Sequence, residues 1–420
     1  MTACTTLANG VRILSRPLPA RRSAALGFWL HNGSRHDGDG QAGCAHLLEH
    51  LLFHGGGRFA HHFEVLGGHI NARTMRELTA FHGLVTADRV CLLAQLFTSL
   101  LLEPRLGTAD LAAERTAALC EQQLAAGSVW EEQEASALAN VWAAHPMARP
   151  ILGTASGILT GSTAALQSYL KERLNGASLW VVAAGEVNHL DLVDACRDLE
   201  QLPAGASPIQ SAPEFRPCAR HVPVESGCSD LLWVMPVPVL SDPAHPAFVL
   251  AEQIAAGAPL SARLQRGLRE RRGLVYAVDS RVEVYTDCGL WWIRLQCEPG
   301  QARHCRDTVE AVMAELSERG PDREELIRSL ALLQARWTLE EDDPECVMER
   351  IAHEIVCLDR VTSLSERLAR IAMMGPVDVR DALAQAWRRR ASFEWGPCDE
   401  GGSSTNQLNP DASVLARRAG

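Results

Sequence analysis

Residues 202–213 read Leu-Pro-Ala-Gly-Ala-Ser-Pro-Ile-Gln-Ser-Ala-Pro, the composition of a linker, and the order of apolar strands and helices found before them begins again after them. This doubling limits the fold more than any other feature. Before the linker, apolar strands are predicted at 11–14 and 24–30, followed by a turn-rich stretch at 32–40 and a helix from about residue 42. Two strands follow the Gly67-Gly68 turn, then a long helical stretch at 109–144 broken near Gly127, then an apolar strand at 179–184 that ends at Gly185. After the linker come a strand at 231–239, a helix at 247–256, and further strands and helices to about Trp395. A period of roughly two hundred residues is far too long for a solenoid. The expectation is an α+β fold of two homologous domains, each with a mixed or antiparallel sheet flanked by helices. The first spans 1–205, the linker 206–217, the second 218–397, and 398–420 form a polar tail expected to be disordered.

Composition narrows the function. With 47% apolar and 22% charged residues in 420, the chain is ordinary globular material. A net charge of −11 disfavours a nucleic-acid partner; it marks a solvated acidic surface or a site for basic peptides. The 13 cysteines are odd in number and contain no Cys-x-x-Cys, which argues for a reducing compartment. No apolar run approaches the ~18 residues of a spanning helix, and the amino terminus lacks the pattern of a cleaved signal. The reading is a cytoplasmic, bacterial protein without a membrane partner.

The chemistry concentrates in Cys44-Ala-His46-Leu-Leu-Glu49-His50-Leu-Leu-Phe53-His54. On a helix, His46 and His50 lie one turn apart on one face, about 6 Å between β-carbons, so both imidazoles reach one ion. Glu49 is on the same side and can contact a metal-bound water without ligating, as a general base must. His-x-x-Glu-His is the reverse order of the commoner zinc motif. The competing reading is a partly exposed helix with incidental histidines. His54 continues the stripe and reads as a rim residue. A catalytic zinc usually has three protein ligands and an open position. Glu114 and Glu121, two turns apart on one helix, are candidates for the third, with Glu131, Glu132 and Glu134 as competitors in a more polar, solvated setting.

These residues resemble the pitrilysin/insulinase family of zinc peptidases, especially its half-length branch with the mitochondrial processing peptidases. The resemblance extends from Leu7-Ala-Asn-Gly-Val-Arg-Ile-Leu14 through the histidine segment to Gly67-Gly-His-Ile-Asn71-Ala72-Arg-Thr74, Glu114 to Glu121, and Arg269 to Tyr276. It implies one zinc ion per chain, held by His46, His50 and Glu121, with Glu114 supporting the ligands and Glu49 as general base. It further implies that Asn71 and Ala72 form an edge strand receiving peptide, that Arg269 holds a substrate carbonyl or terminus, and that Tyr276 stabilises the oxyanion. For Arg269 and Tyr276 a surface charge and a packed strand residue are the competing readings.

By the same resemblance two half-length chains close like a clamshell around a chamber that admits short or unfolded peptides. The partner is a second copy or a zinc-free paralogue, and Tyr276 acts in its own or the facing chain. Leu48 to Phe53 and Asn71 to Thr79 also lean toward the peptidases of pyrroloquinoline quinone biosynthesis, hence toward precursor-peptide processing. The alternatives are a catalytically silent structural subunit of a heteromeric complex and a metal-dependent hydrolase of small molecules.

Overall fold

A computed structural model describes residues 2–397 apart from 55, 56, 58, 105, 209 and 259; the tail expected at 398–420 lies outside the described residues. The first sheet contains β1 (Ala3–Thr6), β2 (Arg12–Pro17), β3 (Ser23–Leu30), β4 (His69–Thr74), β5 (Thr79–Thr86) and β6 (Leu179–Gly185), in the order β1-β2-β6-β3-β5-β4. The second contains β7 (Ala219–Pro223), β8 (Ser229–Pro236), β9 (Val275–Val284), β10 (Gly289–Cys297) and β11 (Ala391–Gly396), in the order β7-β11-β8-β10-β9. Each sheet has one parallel pair, β2 with β6 and β7 with β11, and is otherwise antiparallel. With β1 set aside, the two sheets have the same connectivity. The result is a two-domain α+β fold with mixed sheets flanked by helices, and β4 and β9 are equivalent free edges.

The central strands are apolar on both faces because both faces are covered. On β3, Leu26, Phe28 and Leu30 join the core built with helices α1 (Cys44–Phe53) and α3 (Val90–Leu102), with α2 (Ala60–Leu66) contributing Leu66. Ala25 and Trp29 on the other face pack against Val347, Met348, Ile351, Ala352 and Ile355 of the helix Pro344–Leu358, which belongs to the second half of the sequence. The exchange is mutual. Leu232 and Val234 of β8 pack against Ala137, Leu138 and Val141 of the helix Val129–Val141 from the first half.

Charged groups tie the halves as well. The Arg35 guanidinium, 1% exposed, donates to Glu77 at 2.5 Å and to both oxygens of Asp287 at 2.9 and 2.5 Å. Glu77 in turn accepts from the backbone and hydroxyl of Thr286 at 2.9 and 2.6 Å. The linker-like segment is a fastened strap: Arg35 also donates to the Ser211 carbonyl at 2.7 Å, Arg216 N–H to Val141, and Phe215 is buried. Among the described residues no helix is long and apolar enough to cross a membrane.

Beside Arg35, burial lowers His31 to about 4 and His36 to about 3, while it raises Asp37 to about 6. The unfolded chain protonates both histidines near 6.5, where the folded chain does not, so their effect reduces stability as pH falls below 6.5. Asp37 acts oppositely, because folded Asp37 takes up its proton below about 6 and the unfolded chain only near 3.8. Between pH 6.5 and 5 each histidine costs about 2 kcal/mol and Asp37 returns about 1. Denaturant titrations are expected to show this as greater acid sensitivity of the parent than of a His31→Gln, His36→Gln variant. Equal acid sensitivity in the two would show that these imidazoles reach water.

Candidate metal centre

The helix that carries the histidines starts where glycine is required. Gly43 precedes α1 at φ 106°, a left-handed conformation, and a β-carbon there would lie 3.0 Å from Ile158. The free N–H groups of the first turn are met by a carboxylate from outside the helix. Asp37 accepts from Gly43 N–H at 2.7 Å and Ala45 N–H at 2.9 Å, and its Oδ1 also accepts from the Tyr169 hydroxyl at 3.0 Å. Leu47, Leu48, Leu51 and Leu52 then anchor α1 in the first core. That anchoring fixes the direction of the remaining face, on which His46 and Glu49 are buried and His50 half-buried.

Helix α4 (Thr108–Ala126) packs along α1 and brings both of its spaced carboxylates to the histidines. Glu121 Oε2 lies 3.3 Å from His46 Nε2 and 3.3 Å from His50 Nε2. Glu114 Oε2 lies 3.3 Å from His50 Nδ1, the ring nitrogen that faces away from Glu121. One carboxylate oxygen therefore meets the same nitrogen of both rings, and the second carboxylate orients one of them from behind. The rings are 4.6 Å apart, centre to centre. Zinc bonds of about 2.0–2.1 Å place neighbouring tetrahedral donors roughly 3.3–3.4 Å apart, so the two histidine-to-glutamate separations fit the ion. Among the described residues Nδ1 of His46 is buried without a hydrogen-bond partner, so nothing holds that ring from behind as Glu114 holds His50.

The electrostatics suit a cation and a proton acceptor. Burial and the neighbouring His50 lower His46 to about 4, against the opposing pull of Glu121, so its imidazole is neutral at pH 7 and its lone pair is free to ligate. Burial pushes Glu49 up to about 7, a value at which a carboxyl both accepts and returns a proton near neutrality. The Thr74 hydroxyl donates to Glu49 Oε2 at 3.4 Å, so strand β4 touches the site through the residue after Arg73. Ligand atoms of His46, Glu49 and His50 lie within 4.8 Å of one another.

The other residues singled out from the sequence fall in three places. Asn71 and Ala72 lie on β4, which among the described residues pairs only with β5 and leaves its outer edge open; the Ala72 N–H is held at 2.9 Å by the Asn71 side chain. Arg269 and Tyr276 lie on the second half, with the guanidinium 5.9 Å from the centre of a tyrosine ring that is 90% exposed. The stacked pair has no recorded hydrogen bond or ion pair to the α1–α4 cluster among the described residues. His54 is exposed, its ring 5.8 Å from that of His50.

The solvated setting expected for three glutamates requires one correction. Glu131 and Glu132 are exposed, but Glu134 is largely covered and joins the halves, accepting from Arg76 at 3.3 Å and Arg281 at 2.6 Å. Glu77, part of the family-like segment, likewise serves the contact between halves, whereas Arg76 donates within the first half, to the Met147 carbonyl and to Glu134. Two supporting residues were not assigned from sequence. Asp37 caps a helix from six residues before its first capped N–H, outside the usual capping spacing, and the contact from Thr74 depends on how β4 crosses α1.

The profile described as insulinase, peptidase family M16, matches residues 12–155, and that described as the peptidase M16 inactive domain matches 162–333. The chain belongs to this family. The second M16 match starts ahead of β6, so its boundary passes through the first sheet and does not coincide with the strap. Among M16 relatives, an uncharacterized zinc protease of Streptomyces coelicolor is 28% identical over 408 residues, covering 93% of this chain and 88% of that one. The β subunit of the mitochondrial processing peptidase of Lentinula edodes is 27% identical over 379 residues, covering 84% and 81%. A crystal structure described as a peptidase M16 inactive domain from Pseudomonas fluorescens shares the fold with a TM-score of 0.86 at 19% identity, over 96% of this chain and all of that one.

Proposed function

We propose that this chain is a zinc-dependent metalloendopeptidase that cleaves short or unfolded peptides, with His46, His50 and Glu121 as metal ligands. The observation that carries this reading is the meeting of one Glu121 oxygen with both Nε2 atoms at 3.3 Å, beside a buried Glu49. Zinc, when bound, acts as a Lewis acid toward the scissile carbonyl and makes water more acidic. Glu49 takes the proton of the attacking water and returns it to the leaving amine. Thr74 holds the Glu49 carboxylate in place, and Glu114 holds the His50 ring.

The open edge of β4 supports binding of the peptide as an added strand, with Asn71 and Ala72 presenting the backbone. For Ala72 to donate to the peptide, the Asn71 side chain must release its N–H, so Asn71 acts as a gate on that hydrogen bond. Tyr276, exposed on the equivalent edge of the second sheet, donates to the oxyanion in its own or a facing chain, and Arg269 holds a carbonyl or terminus. The processing-peptidase relative, named as a subunit, supports precursor-peptide trimming by an assembly with a second chain, either another copy or a zinc-free paralogue.

Purified protein is expected to contain one zinc per chain and to cleave a fluorogenic peptide in a chelator-sensitive manner. Metal-free, inert protein would instead identify a structural subunit. In Glu121→Gln the zinc content after dialysis should fall steeply, because an anionic ligand becomes a neutral amide. Unchanged zinc in that variant would remove Glu121 from the ligand set.

A further inference from the structure

In the second half lies a groove of about 580 Å³ between the turn Gln265–Glu270 and the helix Ala302–Arg319. It contains none of the residues assigned above. The turn is a π-helix, closed by a bond from Arg271 N–H to the Arg266 carbonyl at 3.1 Å. A five-residue spacing, which on an α-helix separates side chains onto different faces, here leaves Arg266 and Arg271 lining the same groove. Arg272 follows and reaches across the groove to His304 Nε2 at 2.5 Å and Thr308 Oγ1 at 3.0 Å, neither of them a carboxylate.

The groove has two unlike ends. At one, Arg263 is held by both oxygens of Glu325 at 2.9 and 2.7 Å with Glu315 and Asp322 nearby, so that guanidinium is spoken for. At the other, the Arg266 and Arg271 side chains make no hydrogen bond or ion pair among the described residues, and Arg272 meets no carboxylate. The single uncommitted acid on that wall is Asp307. Three guanidinium groups within seven residues thus face one carboxylate, in a chain whose net charge is −11. Mutual repulsion would spread them over an open surface, but the π-turn and the Arg272 bonds hold them at one wall.

We propose that this basic end is a binding site for a phosphate dianion, free or carried as a monoester on a small molecule. A compact tetrahedral oxyanion can accept from several guanidinium forks at once. Thr308 adds a hydroxyl, and Ala311 with Val312 offer an apolar wall for the remainder of an ester. The site is independent of the metal centre.

The test is calorimetric titration of zinc-stripped full-length protein, at constant ionic strength, with inorganic phosphate and separately with O-phosphoserine. Saturable binding in the millimolar range or tighter is expected, equal in zinc-loaded protein. Tighter binding of the ester assigns the site to phosphorylated metabolites, and tighter binding of inorganic phosphate assigns it to the free ion. The double variant Arg266→Ser, Arg271→Ser should weaken the better probe at least tenfold. Asp307→Asn, which removes the opposing charge, should tighten it severalfold. Absence of saturable binding, or identical affinity in the double variant and the parent, overturns the proposal.

Discussion

Glu49→Gln is expected to bind zinc as the parent chain does and to cleave peptide about 10²- to 10⁴-fold more slowly. The amide preserves shape and can still accept from Thr74, but it cannot take a proton from water. In the metal-free chain Glu49 is buried with its carboxyl pushed up to about 7, so above that pH the native side chain bears a charge that burial disfavours. Replacing it with a neutral group should leave the fold intact or firmer. Lost turnover with an unchanged or raised melting temperature would therefore report on chemistry. A rate near that of the parent would assign proton transfer to another group.

The largest effect on stability is expected at Arg35, in the junction between the halves. Arg35→Ala leaves the carboxylates of Glu77 and Asp287 together without their cation, with Glu77 fully enclosed. Removing one partner of a buried pair costs about 3–5 kcal/mol, mostly the cost of the charge left behind. Denaturant midpoints should show it as a single shifted transition. Arg35→Met combined with Glu77→Gln and Asp287→Asn should recover much of the loss, because no isolated charge then remains. If the single variant lost less than 1 kcal/mol, water would have to reach this junction and screen the pair.

What could be read from the residues alone was whatever depends on local spacing. The uninterrupted apolar run of β3 announced a strand, and the four-residue interval of His46 and His50 announced one helical face. The seven-residue interval of Glu114 and Glu121 marked a pair of carboxylates on one stripe, which the structure sets against the two rings. The breaks near Gly127 and Gly185 fell where glycine ends an element. Partnership across the fold was not legible. An apolar stripe on residues 344–358 says that something must cover it and does not say that β3 and β6 of the other half will. Glu134 sits in an acidic run that resembles a solvated face, and its cations arrive from afar, Arg76 from the first half and Arg281 from 147 positions later. Asp37 holds the start of α1 through backbone atoms, which leave no mark on side-chain pattern.

The crossed helices have a consequence for how such a duplicated chain can change over generations. Each half lends the other the lid of its sheet, so a gene cut at the strap would yield two products with bare greasy faces, neither able to persist alone. Mutational drift in one copy is then constrained by the other: an altered Met348 is felt at Trp29, in the part of the molecule that carries the histidines, even though three hundred positions of sequence intervene.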